Sequence, residues 1–170
     1  MQFIDLGAQQ KRIRKQIETN ISNILDHGKY IMGPEVAHLE DELKAFVGVK
    51  HAIACASGTD ALLLALLAEG VGPGDAIFTS PFTFIATAEV ISLVGATPVF
   101  VDIDDKTFNI DPDRLESAIE ALVTADPERH PLPPGASSLS ELKPRGIIAV
   151  DLFGLPADYA RINTVARRQE

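Results

Sequence analysis

Ile13, Ile17, Ile21, Ile24 and Leu25 recur at steps of three and four among Lys, Arg, Glu and Asn. That spacing predicts an amphipathic helix over residues 8–26, with one apolar stripe for folding to hide. After the turn HGKYIMGP, Pro34 suits a first helical position, and Val36, Leu39, Leu43 and Phe46 keep the period until Gly48. A second helix over 35–47 follows, so residues 1–50 read as an N-terminal helical segment. From HAIACAS (51–57) onward the pattern changes to short apolar runs, each followed by a turn and a helical stretch. DAIFTS at 75–80, TPVFVDI at 97–103 and RGIIAVDLF at 145–153 read as strands, because each is an apolar run flanked on both sides by helical segments.

The helices between them are expected at 58–69, stopped by Gly70, at 84–94, stopped by Gly95, at 112–123, and from about 157. Asp111 caps the third of these and Pro112 takes its first position. Strand alternating with helix implies an α/β fold with a mostly parallel sheet flanked by helices. The stretch TADPERHPLPPGASSLSELK, 124–143, has no apolar period and reads as an exposed insertion loop. The final helical segment follows a buried strand and leads to no further one, so the sheet reads as incomplete over 51–170.

Composition narrows the picture. A chain of 170 residues fits one domain with a real core. A net charge of −9 argues against a nucleic-acid groove or an anionic membrane surface, since both require clustered Lys and Arg. The opening MQFIDLGAQQ has no secretory pattern, and no uncharged run reaches the roughly 18 residues of a membrane span. Cys55 is the single cysteine, which favours a reducing, cytoplasmic setting, and it reads as a small buried residue ahead of a turn.

Candidate chemistry lies where apolar runs end. CASGTDALL places Gly58, Thr59 and Asp60 at the start of a helix, where free amides and the helix dipole favour a phosphate. An ordinary turn capped by Ser57 or Thr59 would read the same way locally, and the spacing is neither of the familiar glycine-rich phosphate patterns. SPFTFIATAEV puts Phe82 and Phe84 at the end of the next strand, where an aromatic ring either stacks on a flat cofactor or packs beneath a helix. Asp102, Asp104 and Asp105 have no His or Cys at ligand spacing, so turn formation is preferred to metal binding. The four histidines show no paired spacing, and DLFG at 151–154 lacks the companion motifs of a kinase.

Taken together, FIDLGAQQ, GPEV, SGTDAL, GPGD, TFIAT, GATPVFVDID and FNIDPDRLESAI resemble, in order and spacing, the N-terminal part of the DegT/DnrJ/EryC1/StrS family of pyridoxal-phosphate-dependent sugar aminotransferases. The resemblance covers nearly the whole chain outside 124–143. It implies a fold type I aminotransferase architecture, with 51–170 as the first part of the cofactor-binding domain. It also implies pyridoxal 5′-phosphate as cofactor, and transfer of an amino group, usually from glutamate, to a nucleotide-linked keto sugar. By position, Thr59 and Asp60 would offer backbone amides to the cofactor phosphate, Gly58 would make room for it, and Phe84 would stack on the pyridine ring. Tyr30, just before the IMGP turn, is the candidate for the substrate's surroundings. Relatives often carry glutamine where this chain has Leu155.

The family's Schiff-base lysine and ring-nitrogen aspartate are expected beyond Glu170, and none of the lysines here matches the context of the catalytic one. These residues are therefore expected to be the N-terminal part of an enzyme, inactive alone and a homodimer when full length. Two other readings stay open: a sugar dehydratase of the same family, and a non-catalytic module that binds a phosphorylated ligand or a partner.

Overall fold

The structure is a computed structural model that describes residues 4–133 and 142–168. The chain divides into two compact units, Met1–Ala54 and Cys55–Glu170.

The first unit holds helices α1 (Leu6–His27) and α2 (Pro34–Val47). Asp5 begins α1 by accepting the Ala8 N–H at 2.9 Å, and Gly28 ends it in the left-handed region at φ 66°. Pro34 does open α2, and Gly48 closes it in the same left-handed manner. Gly33 sits at the entry because a β-carbon there would collide with the Lys29 carbonyl oxygen. The stripe expected to be hidden is not: Ile13, Ile17, Ile21 and Leu25 are all exposed, and no residue of α1 is buried. Periodicity marks which face is apolar, but it cannot say whether anything covers that face.

In the second unit, α3 (Gly58–Ala68), β1 (Asp75–Thr79), α4 (Ala86–Leu93), β2 (Thr97–Phe100), α5 (Pro112–Thr124), β3 (Lys143–Ile148) and α6 (Tyr159–Arg167) follow in order. The three strands form a parallel sheet in the order β2-β1-β3. Central β1 is the sheet's spine, and Ala76 to Thr79 are almost completely buried. Alternation along it divides the core. Ala76 and Phe78 join Leu115, Ile119 and Leu122 of α5 and Ile162 and Val165 of α6 on one face. Ile77 points the other way, to Leu66 of α3 and Val90 and Ile91 of α4. The result is a helix–sheet–helix sandwich.

Prolines sit where a strand can spare an amide. Pro98 lies on edge strand β2, and Pro144 stands beside the bulge where the β1–β3 register skips Arg145. HAIACAS forms no strand, and TPVFVDI pairs regularly only to Phe100, with one further bond from the Val101 N–H to the Thr79 carbonyl. The predicted strand at 145–153 starts earlier, at Lys143, and ends at Ile148. Beyond it the chain turns through a 3-10 segment, Leu152–Gly154, with Phe153 at φ 56°. Residues 134–141 of the expected loop lie outside the described residues. In its described part, Leu132 packs against the core and His130 Nε2 lies 2.9 Å from the Phe100 carbonyl oxygen.

Candidate cofactor site at the carboxyl end of the sheet

A helix joined to a strand by a short turn runs antiparallel to it, and α3 reaches β1 through only Glu69–Gly74. Its N-terminus therefore lies at the end of the sheet where the parallel strands finish, the same end at which α4 and α5 begin. The helices begin at that end, which is where open parallel sheets hold ligands.

Ser57 adopts an extended conformation, φ −159° and ψ 168°, and its Oγ accepts the Asp60 N–H at 3.1 Å. The Ala61 N–H goes to the Ser57 carbonyl. Asp60's amide is thus already engaged by the cap, while the Gly58 and Thr59 amides have no acceptor among the described residues. A β-carbon at Gly58 would meet nothing within 4 Å, and its φ is not positive. Neither backbone conformation nor packing within the chain demands glycine there. Space and donors at this helix start fit a phosphate, which is the part of pyridoxal phosphate the residues would hold.

Cys55 is exposed, which corrects the expectation of burial, and its thiol lies 3.3 Å from the Ser57 carbonyl oxygen. With HAIACAS unpaired, no sheet covers that side chain.

After β1 the chain turns through Ser80–Ile85. Buried Ser80 accepts the Phe82 N–H at 3.0 Å, Thr83 and Thr87 share a hydroxyl hydrogen bond of 2.9 Å, and the Phe84 carbonyl accepts the Thr87 N–H. A tightly held turn thus presents Phe84 with 76% of its surface exposed. Packing beneath a helix, the alternative open for it in the sequence, does not occur. Phe82 instead meets Phe108 and Phe153 edge-on, with ring centroids 5.9 Å and 6.4 Å away.

The carboxylates after β2 serve turns. Asp104 accepts from the Lys106 and Thr107 amides and the Thr107 hydroxyl at 2.8–3.1 Å, and these bonds hold its carboxyl below the usual carboxylate range. Asp111 caps α5. No cluster that would hold a metal ion exists among the described residues, and none of their helices is long and apolar enough to cross a membrane. Past β3, Asp151 accepts the Ala157 N–H and the Tyr159 hydroxyl, each at 2.9 Å, and this bond, with partial burial, raises the Tyr159 phenol above its ordinary value. Tyr30 is exposed between α1 and α2, in the first unit.

Sequence reasoning missed Asn109, 4% exposed and bonded through both ends of its carboxamide. The available signal was one amide between apolar Phe108 and Ile110, overshadowed by the neighbouring carboxylates.

The second unit is thus a three-layer α/β domain with an open helix start at Gly58 and an exposed ring, Phe84, on the turn after β1. Residues 11–170 match the model of the DegT/DnrJ/EryC1/StrS aminotransferase family, and the chain belongs to that family. It is 45% identical over 168 residues to the UDP-2-acetamido-2-deoxy-3-oxo-D-glucuronate aminotransferase of Pseudomonas aeruginosa, covering 99% of this chain and 41% of that one. Its fold matches the crystal structure of a DegT DnrJ EryC1 StrS aminotransferase from Brucella abortus with a TM-score of 0.88 and 48% identity, over 99% of this chain and 42% of that one. A crystal structure of NtdA from Bacillus subtilis with bound cofactor PMP matches with a TM-score of 0.72 and 29% identity, over 91% and 31% of the two chains. The chain thus spans about two fifths or less of the length of these relatives.

Proposed function

We propose that the whole protein is a pyridoxal-phosphate-dependent aminotransferase acting on a nucleotide-linked keto sugar, with an amino acid such as glutamate as donor, and that these residues supply half of the cofactor's cradle. The observation that carries this reading is the exposed start of α3: the Gly58 and Thr59 amides have no acceptor among the described residues, and a β-carbon at Gly58 would meet nothing within 4 Å. Relatives of this chain are named as sugar aminotransferases, and one was solved with PMP.

When bound, pyridoxal phosphate would act as an electron sink that labilises a bond at the amino-bearing carbon. The residues here would do the holding. The Gly58 and Thr59 amides would donate to the phosphate, with the Thr59 hydroxyl a third donor, and the dipole of α3 would favour the anion. The Phe84 ring would cover one face of the pyridine and fix its tilt. Ser57 would keep the first turn in shape by occupying the Asp60 amide. The proton-transferring lysine and the ring-nitrogen aspartate are assigned to the whole protein outside these residues, and the assembly proposed is a homodimer in the cytoplasm.

Gly58→Ala in the whole protein tests the reading. Alanine is the better helix former by about 1 kcal/mol, so stability should hold or rise slightly. Its methyl would enter the phosphate space, so retention of pyridoxal phosphate in dialysis should fall at least tenfold. A variant that keeps its cofactor, or wild-type protein that binds none, overturns the reading.

A further inference from the structure

Asn109 lies in the loop between β2 and α5, and its partners are more than forty residues away. Its Nδ2 donates to the Leu155 carbonyl at 2.9 Å, and its Oδ1 accepts the Leu152 N–H at 3.1 Å. Its backbone carbonyl accepts the Asp104 N–H at 2.9 Å, so the asparagine is itself anchored in the Asp104 turn. The carboxamide grips both ends of the 3-10 turn that carries Phe153.

Two phenylalanines flank these bonds, and both have left-handed backbone: Phe108 at φ 60° and Phe153 at φ 56°. Bulky residues seldom adopt that region unless surrounding contacts hold them there. Phe108 adjoins Asn109, and Phe153 sits between the two residues Asn109 binds. Both rings stand edge-on to one target, the ring of Phe82. Phe82 belongs to the turn that presents Phe84, two residues on. A chain of contacts therefore runs from the Asn109 amide, through two strained backbones, to the turn after β1.

We propose that Asn109 is a positioning residue for the cofactor ring: its carboxamide fixes the turns after β2 and β3 so that Phe108 and Phe153 brace Phe82, and thereby set the turn bearing Phe84. The bracing stands on the geometry above; its purpose rests on the reading of Phe84 given under Proposed function.

The first arm of the test uses the whole protein stripped of its cofactor and compares wild type with Asn109→Leu by amide hydrogen exchange. Exchange should rise about tenfold in 149–157 and severalfold in 80–85. Unchanged exchange in 80–85, whatever happens in 149–157, overturns the proposal, since Asn109 would then staple only its own neighbours.

Should Asn109→Leu fail to fold, Phe153→Leu keeps the asparagine's two backbone partners and removes the ring. It should loosen 80–85 and leave 149–157 within twofold of wild type, and protection retained in 80–85 overturns the proposal. In the whole protein, Asn109→Leu should raise the dissociation constant of pyridoxal phosphate about tenfold, and an unchanged constant overturns the positioning role. If wild-type whole protein binds no pyridoxal phosphate, the cofactor reading falls, while the exchange pattern alone still decides the bracing.

Discussion

Replacing Phe84 with alanine separates a residue that serves a ligand from one that serves the fold. A phenylalanine side chain offers about 200 Å² of surface, and with 76% of Phe84 exposed only about 50 Å² is buried. At ~25 cal/mol per Å² its loss removes about 1 kcal/mol of stability at most. Phe78, 1% exposed in the same unit, would cost about 3–5 kcal/mol on the same change. A cofactor ring lying on one face of Phe84 would cover roughly 75 Å², worth about 2 kcal/mol, with up to about 1 kcal/mol more from ring–ring geometry. Phe84→Ala in the whole protein should then raise the pyridoxal phosphate dissociation constant roughly 30- to 150-fold. Equilibrium dialysis measures the constant, and urea denaturation measures the stability. A constant within threefold of wild type would remove Phe84 from the site. A stability loss near that of Phe78→Ala would make it a core residue and refute the burial reasoning itself.

Two further outcomes follow from the backbone and the carboxylates. Gly95→Ala should destabilise by more than about 1 kcal/mol in urea titrations and by more than Gly70→Ala does, because both glycines have positive φ but only at 95 would the new methyl lie 3.0 Å from Pro73 Cγ. Asp104's carboxyl is lowered in the folded chain by its bonds to Thr107 and Lys106. Its stabilisation is therefore full above the unfolded value of about 3.9 and is lost as pH falls through the lower folded value. The stability gap between wild type and Asp104→Asn should be constant from pH 7 to about pH 5 and shrink in more acidic urea titrations.

Local chemistry made much of this architecture legible. Pro34 and Pro112 at helix starts, Gly48 at a helix end, and Asp111 as a cap all act through bonds within a few residues, so their pattern survives without tertiary context. Strand ends were less legible. Val101 donates to Thr79 as though β2 continued, yet Ile103 leaves to bridge Ile110 in the opposite sense, and no local property of VDI announces that departure. RGIIAVDLF stays apolar from Ile147 to Val150, past the point where the strand ends at Ile148, and the turn that follows has its Leu152 amide taken by Asn109 from a distant loop.

The same contrast divides the candidate site. That the Gly58 and Thr59 amides stand without acceptors among the described residues was legible because a helix start exposes its amides whatever surrounds it; their service to a phosphate belongs to the proposed function. The Asp60 amide is held by Ser57 Oγ; Ser57 and Thr59 were equivalent capping choices in the sequence, and only the extended backbone of Ser57 decides between them. Asn109 left only a faint signal for a deeper reason: each of its side-chain partners is a backbone group, an N–H at 152 and a carbonyl at 155, which almost any residue type would supply. Backbone partners leave no mark on the partner's identity. The mark falls on the asparagine alone, whose paired donor and acceptor hold a phenylalanine in a backbone region that its own side chain disfavours.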